Sequence, residues 1–283
     1  MPVVTIALAA VVGVALGMLG GGGSILMVPL LTYVGGLDAK QAIATSLLVV
    51  GVTSAIGAVG HARAGRVRWG VGLMFGGAGM AGAYVGGLLA RFVPASALLV
   101  GFATLMCVAA VAMLRDRADL SDAQRAPAGR LLALGLAVGV VMGLVGAGGG
   151  FLLVPALVLL GALPMTAAVG TSLAVIAMQS FAGLAGHLAA TPIDWGLAAL
   201  ISAMAVAGGL IGARLTAKVE PDALRRGFGV FVLATAALVL AKEASPAVGA
   251  AAAAGCLMLV AMSLGCRRFG LCPWRRFIPQ RVY

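Results

Sequence analysis

Charge is what this chain has least of. Asp, Glu, Lys and Arg make up only 10% of its 283 residues, while 62% are hydrophobic, and the mean hydropathy is +1.14. Ordinary soluble domains carry about 25% charged residues, so that class is excluded and the chain belongs in a bilayer. Acids are especially scarce, 8 in all, and Asp38, Asp194, Glu220 and Asp222 fall in expected loops rather than deep in apolar tracts. A carboxylate-based cation or proton path therefore lacks its usual groups. The 4 cysteines, Cys107, Cys256, Cys266 and Cys272, have neither metal-ligand spacing nor the pattern of a disulfide framework. Cys266 and Cys272 flank a basic tail, where lipidation has only a weak signal. Met1 to Leu16 contains no Lys or Arg, so the basic start of a cleaved signal peptide is missing and the segment reads as a retained span. The alternating polar pattern of an outer-membrane barrel is missing as well, which leaves helices.

Enzyme signatures are also lacking. There is no His-Glu metal motif, no pair of carboxylates and no local Ser/His/Asp signature, so neither an enzyme nor a metal or other cofactor is expected. The net charge of +11 sits in short segments between apolar runs, as in the cytoplasmic loops of membrane proteins. Nucleic acid is not an expected partner.

What the chain has is apolar length and glycine. Apolar tracts run about 3 to 17, 24 to 35, 39 to 60, 69 to 90, 94 to 114, 130 to 145, 150 to 161, 164 to 186, 195 to 213, 222 to 241 and 246 to 265. The tracts at 24 to 35 and 150 to 161 are too short to span at 1.5 Å per residue, and each follows a glycine cluster. Gly17-Met-Leu-Gly20-Gly21-Gly22-Gly23-Ser24-Ile-Leu-Met-Val-Pro29 returns, at an offset of 126, as Gly143-Leu-Val-Gly146-Ala147-Gly148-Gly149-Gly150-Phe-Leu-Leu-Val-Pro155. One constant offset also matches Thr45-Ser46-Leu47 with Thr171-Ser172-Leu173, Gly60-His61 with Gly186-His187, and Trp69-Gly70 with Trp195-Gly196. Chance likeness between Gly/Ala-rich helices would not hold His, Trp and Thr-Ser in register, so the chain is a duplication.

The expected organisation is an all-α polytopic membrane protein. Residues 1–114 form a first transmembrane repeat, 115–130 a cytoplasmic linker, 131–241 a second repeat, 242–266 an extra transmembrane helix and 267–283 a basic cytoplasmic tail. If each half crosses an odd number of times, one face receives all of the 19 Lys and Arg residues except Lys40, Arg91 and Lys242. An even number would divide them almost equally. The bias of basic residues to the cytoplasm selects the odd case, which makes the repeats inverted, with the N-terminus outside and the C-terminus in the cytoplasm. Three full spans plus a re-entrant hairpin, or five crossings with one short, satisfy parity equally.

Each mid-helix glycine costs roughly 1 kcal/mol relative to alanine, and tight helix crossing is one use that offsets the cost. The other is a broken or re-entrant helix whose free N–H groups face a ligand. On that reading Gly20, Gly21, Gly22, Gly23 and Ser24 of one half, and Gly146, Gly148, Gly149 and Gly150 of the other, bind a small anion between half-helix N-termini that meet near mid-membrane. Thr45, Ser46, Thr171 and Ser172 lie early in the following helices and can donate hydroxyl hydrogen bonds to it, unless they back-bond to the preceding turn. His61 and His187 are candidates for proton coupling, with a capping role as the plainer alternative.

The duplicated set G-x-x-G-x-G-G-G/S with a nearby Val-Pro, the Ala/Gly-Thr-Ser-Leu after it, and Gly-His ahead of a Trp resembles the sulfite exporter TauE/SafE family, also called the toluene-sulfonate uptake permease family. The likeness covers about residues 3 to 241. It departs at Ala147, where the first cluster has Gly21, and at His187, which lacks the basic loop that follows His61. The resemblance implies a multi-pass permease of the bacterial inner membrane that moves sulfite, a sulfonate or a related sulfur-containing or organic anion. Coupling to a proton or sodium gradient, and an oligomeric assembly, are compatible with it. An anion channel and a non-transporting membrane scaffold or assembly factor remain the alternatives.

Overall fold

A computed structural model of the chain describes residues 2–19, 22–114, 127–146, 165–215 and 221–243, together with Leu153, Leu157 and Leu163. Gly20, Gly21, Gly148, Gly149, Gly150, most of the 150–161 tract, linker residues 115–126, the 246–265 tract and the basic tail lie outside the described residues. Those described form helices and no strands. The long ones are α1 (Pro2–Leu19), α3 (Ala39–Arg63), α4 (Trp69–Leu89), α5 (Ala95–Leu114), α6 (Ala128–Val145), α7 (Met165–Leu188), α8 (Trp195–Leu215) and α9 (Pro221–Glu243), and between α1 and α3 lies the short α2 (Met27–Pro29). Several are long and apolar enough to cross a bilayer, as a multi-pass membrane protein requires.

Local chemistry sets the helix boundaries. Asp194 opens α8, its Oδ1 accepting the Leu197 N–H at 3.0 Å, which satisfies one of the donors a helix start leaves over. Pro127 stands just before α6, and Pro221 is the first residue of α9, positions where its fixed φ helps and its missing N–H costs nothing. The short helix begins with a tight 3₁₀ turn at Gly22–Leu26 and ends in a wide turn at Leu30–Val34. Pro29 cannot donate to the ladder, and beyond it the bonds lengthen to Gly35 N–H with Leu30 O at 2.9 Å. Residues 22 to 34 thus cover about 20 Å, too little for a bilayer core of about 30 Å. Residues 24 to 31 are all buried and 32 to 34 half-buried, so the first two turns of this segment are enclosed by protein.

Lipid removes the hydrophobic drive between spans, so close backbone approach must hold them together. The glycines supply it, and the offset of 126 carries over into their contacts. A Cβ at Gly13 or Gly17 of α1 would strike Ala205 O or Gly209 O of α8, and one at Gly139 or Gly143 of α6 would strike Gly79 O or Ala83 O of α4. In the other direction Gly208 and Gly212 press on Ala10 and Val14, as Gly82 and Gly86 press on Leu136 and Val140. α1 therefore runs alongside α8, and α6 alongside α4, in the same sense.

The matched helices α3 and α7 pack on each other in opposite senses. Leu47 lies against Gly183, Gly51 against Phe181 and Gly57 against Leu173, and the same register brings Thr53 level with its offset partner Gln179. Their neighbours Gly79 and Gly139 complete a central layer. At one end of the bundle Lys40 Nζ donates to Arg91 O at 3.0 Å, the Tyr33 hydroxyl donates to Glu243 Oε1 at 3.2 Å, and Lys242 lies 4.9 Å over the Tyr33 ring. Lys40, Arg91 and Lys242 thus gather at the end opposite the Arg63–Arg68 loop.

Candidate functional site

The second glycine break is visible at its entry. α6 ends at Gly146, which turns left-handed with φ +71°, a conformation open to glycine at little cost. A Cβ here would also come within 2.7 Å of Ile43 Cγ2. A helix that stops inside a bundle leaves its last carbonyls without partners, and here each donor comes from a motif residue. The Gly146 N–H closes onto Met142 O at 2.8 Å. His187 Nε2 donates to Gly143 O at 2.8 Å, which fixes the proton on that nitrogen, since a carbonyl can only accept. The Ser46 hydroxyl lies 3.0 Å from Gly146 O and 2.8 Å from Ile43 O, sharing one proton between them. Ser46 belongs to the first half, Gly146 and His187 to the second, so both halves build the site. Ser46 and His187 are both buried.

The other expected residues divide. Gly22, Gly23 and Ser24 form the first turn of the short helix, and Ser24 is buried. Ser172 back-bonds to Val169 O at 2.9 Å. Thr171 is fully buried, and its Oγ1 accepts the Arg68 N–H at 3.0 Å, tying the basic loop to the start of α7. Thr45 is buried early in α3. Thr45-Ser46 and Thr171-Ser172 lie on opposite sides of the central layer, each about 10 Å from it at 1.5 Å per residue. The Gly146 break is level with Ser46 rather than with the central layer, because α6 continues for two turns past its crossing with α4 at Gly139. His61 sits at the Arg66 loop, half-buried, with Nδ1 unpartnered. Among the described residues no cluster of His, Cys, Asp or Glu could hold a metal ion.

His187 takes the capping role given above as the plainer alternative, but on a neighbouring helix rather than its own. One signal escaped the sequence reading. Gln179, Ser54 and Ser180 are buried in the central layer with no hydrogen-bond partner. A glutamine in the middle of a 24-residue apolar helix was the visible sign.

Comparison with known proteins places this architecture. A family model for the sulfite exporter TauE/SafE matches residues 5–239. The chain belongs to the TauE/SafE family. It is 33% identical over 246 residues, 84% of this chain and 94% of the other, to a protein of Xylella fastidiosa strain 9a5c named as a probable membrane transporter. It is 28% identical to the probable membrane transporter protein YdhB of Bacillus subtilis, over 72% of this chain and 86% of that one. To the probable membrane transporter protein MJ0441 of Methanocaldococcus jannaschii it is 26% identical, over 76% and 86%. No solved structure matches the chain. This TauE/SafE chain is accordingly a multi-pass membrane protein of a transporter family, with a small substrate and the bilayer as its partners.

Proposed function

We propose that the protein is a secondary transporter of a small anion, sulfite or a sulfonate foremost, working by alternating access between two inverted halves. The observation that carries this reading is the end of α6. A helix that stops deep in the bundle, with Ser46 and His187 occupying its last carbonyls, marks a backbone break of the kind that lines ligand sites in transporters. The short helix of the first half starts with Gly22, Gly23 and Ser24, and the start of a helix favours an anion. The opposite senses of α3 and α7, and the collection of Lys40, Arg91 and Lys242 at one end, support inversion. The basic bias then sets the 63–68 loop and the C-terminus in the cytoplasm and the N-terminus outside, in a bacterial inner membrane.

The two breaks lie on opposite sides of the central layer, so each half supplies one way-station facing one compartment. A coupling proton or sodium ion would enter by the same route, and His61, free at Nδ1, is the better-placed proton carrier of the two histidines. Proteoliposomes loaded with sulfite or sulfonates test the reading. Wild-type protein should give saturable, exchange-capable flux, and Gly22→Leu and Gly148→Leu should abolish it while the protein still elutes as a folded species. Unchanged flux in both variants contradicts the assignment of the site.

A further inference from the structure

The central layer contains polar groups that the glycine-break site does not use. Gln179 is 2% exposed, and neither its Nε2 nor its Oε1 has a partner. Ser54 and Ser180, matched at the offset of 126, are 0% and 2% exposed, and neither hydroxyl is partnered. Ser54 stands one turn from Gly51 and from Gly57, and Ser180 stands beside Phe181 and one turn from Gly183, residues at which α3 and α7 meet. Buried polar groups are nearly always satisfied, so three together without partners call for a ligand or a reason.

The chain has made room for this amide on one side only. Gln179 lies against the bare backbone of Gly79, where any Cβ would strike its Nε2. In the other half the same two positions are Thr53 and Ala205. The Thr53 hydroxyl already donates its one proton to Val49 O at 2.6 Å and Val50 O at 3.1 Å of its own helix, so it has no donor left for a ligand. The duplication thus places one open amide, not two, at the level where the halves cross.

We infer that Gln179, with Ser54 and Ser180, forms a central station that binds sulfite in its singly protonated, hydrogen form. The inference rests on the transport reading. An amide offers an N–H donor beside a C=O acceptor, and a ligand that satisfies both must carry an acceptor oxygen next to an O–H. A hydrogen oxyanion has that pair. A fully deprotonated one would engage the N–H and leave Oε1 facing negative oxygen. Burial away from water favours the lower charge as well. The serine hydroxyls, each donor or acceptor, complete the set. No Asp, Glu, Lys or Arg of α3, α4, α6 or α7 stands at this level. The titratable groups on these helices are Lys40, His61 and Arg63 at the ends of α3, Tyr84 late in α4, Arg130 at the start of α6 and His187 at the end of α7, two turns beyond Gln179.

The test is sulfite flux in proteoliposomes with equal pH on both sides, at several pH values across sulfite's own second ionisation. The half-saturating total sulfite should rise with pH as the hydrogen form is depleted. Gln179→Leu should lower flux by about tenfold while melting no lower than wild type, because it removes an unpaired amide and keeps the volume. Ser54→Ala with Ser180→Ala should lower flux in the same direction. Half-saturation that falls with pH overturns the inference, as does wild-type flux in Gln179→Leu and in the serine pair, which would leave only an ordered water there. Loss of flux accompanied by a lower melting point in both variants also overturns it, by making the cluster structural. Wild-type protein that moves no anion at all contradicts the transport reading instead.

Discussion

Gly60-His61 and Gly186-His187 are the same dipeptide at matched ends of α3 and α7, and they live differently. Gly186 is buried, and a Cβ there would come within 2.5 Å of Tyr84 O, whereas nothing lies within 4 Å of a Cβ at Gly60. His187 reaches across to Gly143 O, and His61 stays at the loop with Nδ1 unpartnered. The cause is legible one helix away. α4 meets α7 with Gly72, Gly76, Gly79 and Gly87, and at the same four positions α8 has Ala198, Ser202, Ala205 and Ala213. Every one is larger. Bare backbone lets α4 close onto α7, and side chains stand in that place on α8. Where the glycines are kept in both halves, as at Gly82 and Gly86 with Gly208 and Gly212, the contacts are the same too.

The sharpest way to break this comparison is at a crossing that the halves share. Gly13→Val and Gly139→Val should each destabilise by about 3 kcal/mol, the upper range for overpacking, because each drives a side chain into a carbonyl of the facing helix. Melting curves in detergent should show the two losses equal, and a large difference would mean that the shared contacts are not shared in energy. Gly146→Ala comes next, at about 2 kcal/mol, from left-handed strain together with the approach to Ile43. Its flux should fall further than its stability, since the break would be re-aimed.

Smaller effects separate the halves. Thr171→Val removes the acceptor of the Arg68 N–H and should cost about 1 kcal/mol. Thr45→Val should cost less, because no such bond ties Thr45 to the 190–194 loop among the described residues. Gly60→Ala should stabilise by about 0.5 kcal/mol, as an open helical glycine replaced by alanine does. Gly186→Ala should destabilise. The opposite sign at one matched pair is the finest test of the asymmetry.

Much of the fold was legible because lipid leaves so few solutions. The tracts 39 to 60 and 69 to 90 became α3 and α4 with ends shifted by at most three residues. The short 24-to-35 tract is a mostly buried segment too short to span. The site was less legible. Searching for residues that recur at offset 126 finds Ser46, Gly146 and His187, but cannot tell a donor to substrate from a donor to a carbonyl. Ser172 and Thr171 carry the same motif and serve their own backbone and a loop. The search also hides Gln179, whose partner is Thr53, since what distinguishes the halves is invisible to a filter for what they share. Nor does a duplication state where a helix breaks: the stop at Gly146 depends on its φ and on Ile43 behind it.

The transport reading depends on two opposed halves, and loop sidedness tests that most directly. In a cysteine-free background with all four natural cysteines replaced, single cysteines at Arg66 and Ile193 should react with a membrane-impermeant maleimide from opposite sides of intact cells and inverted vesicles. Arg66→Cys should label only in inverted vesicles and Ile193→Cys only in intact cells. Labelling of both from the same side would contradict the account.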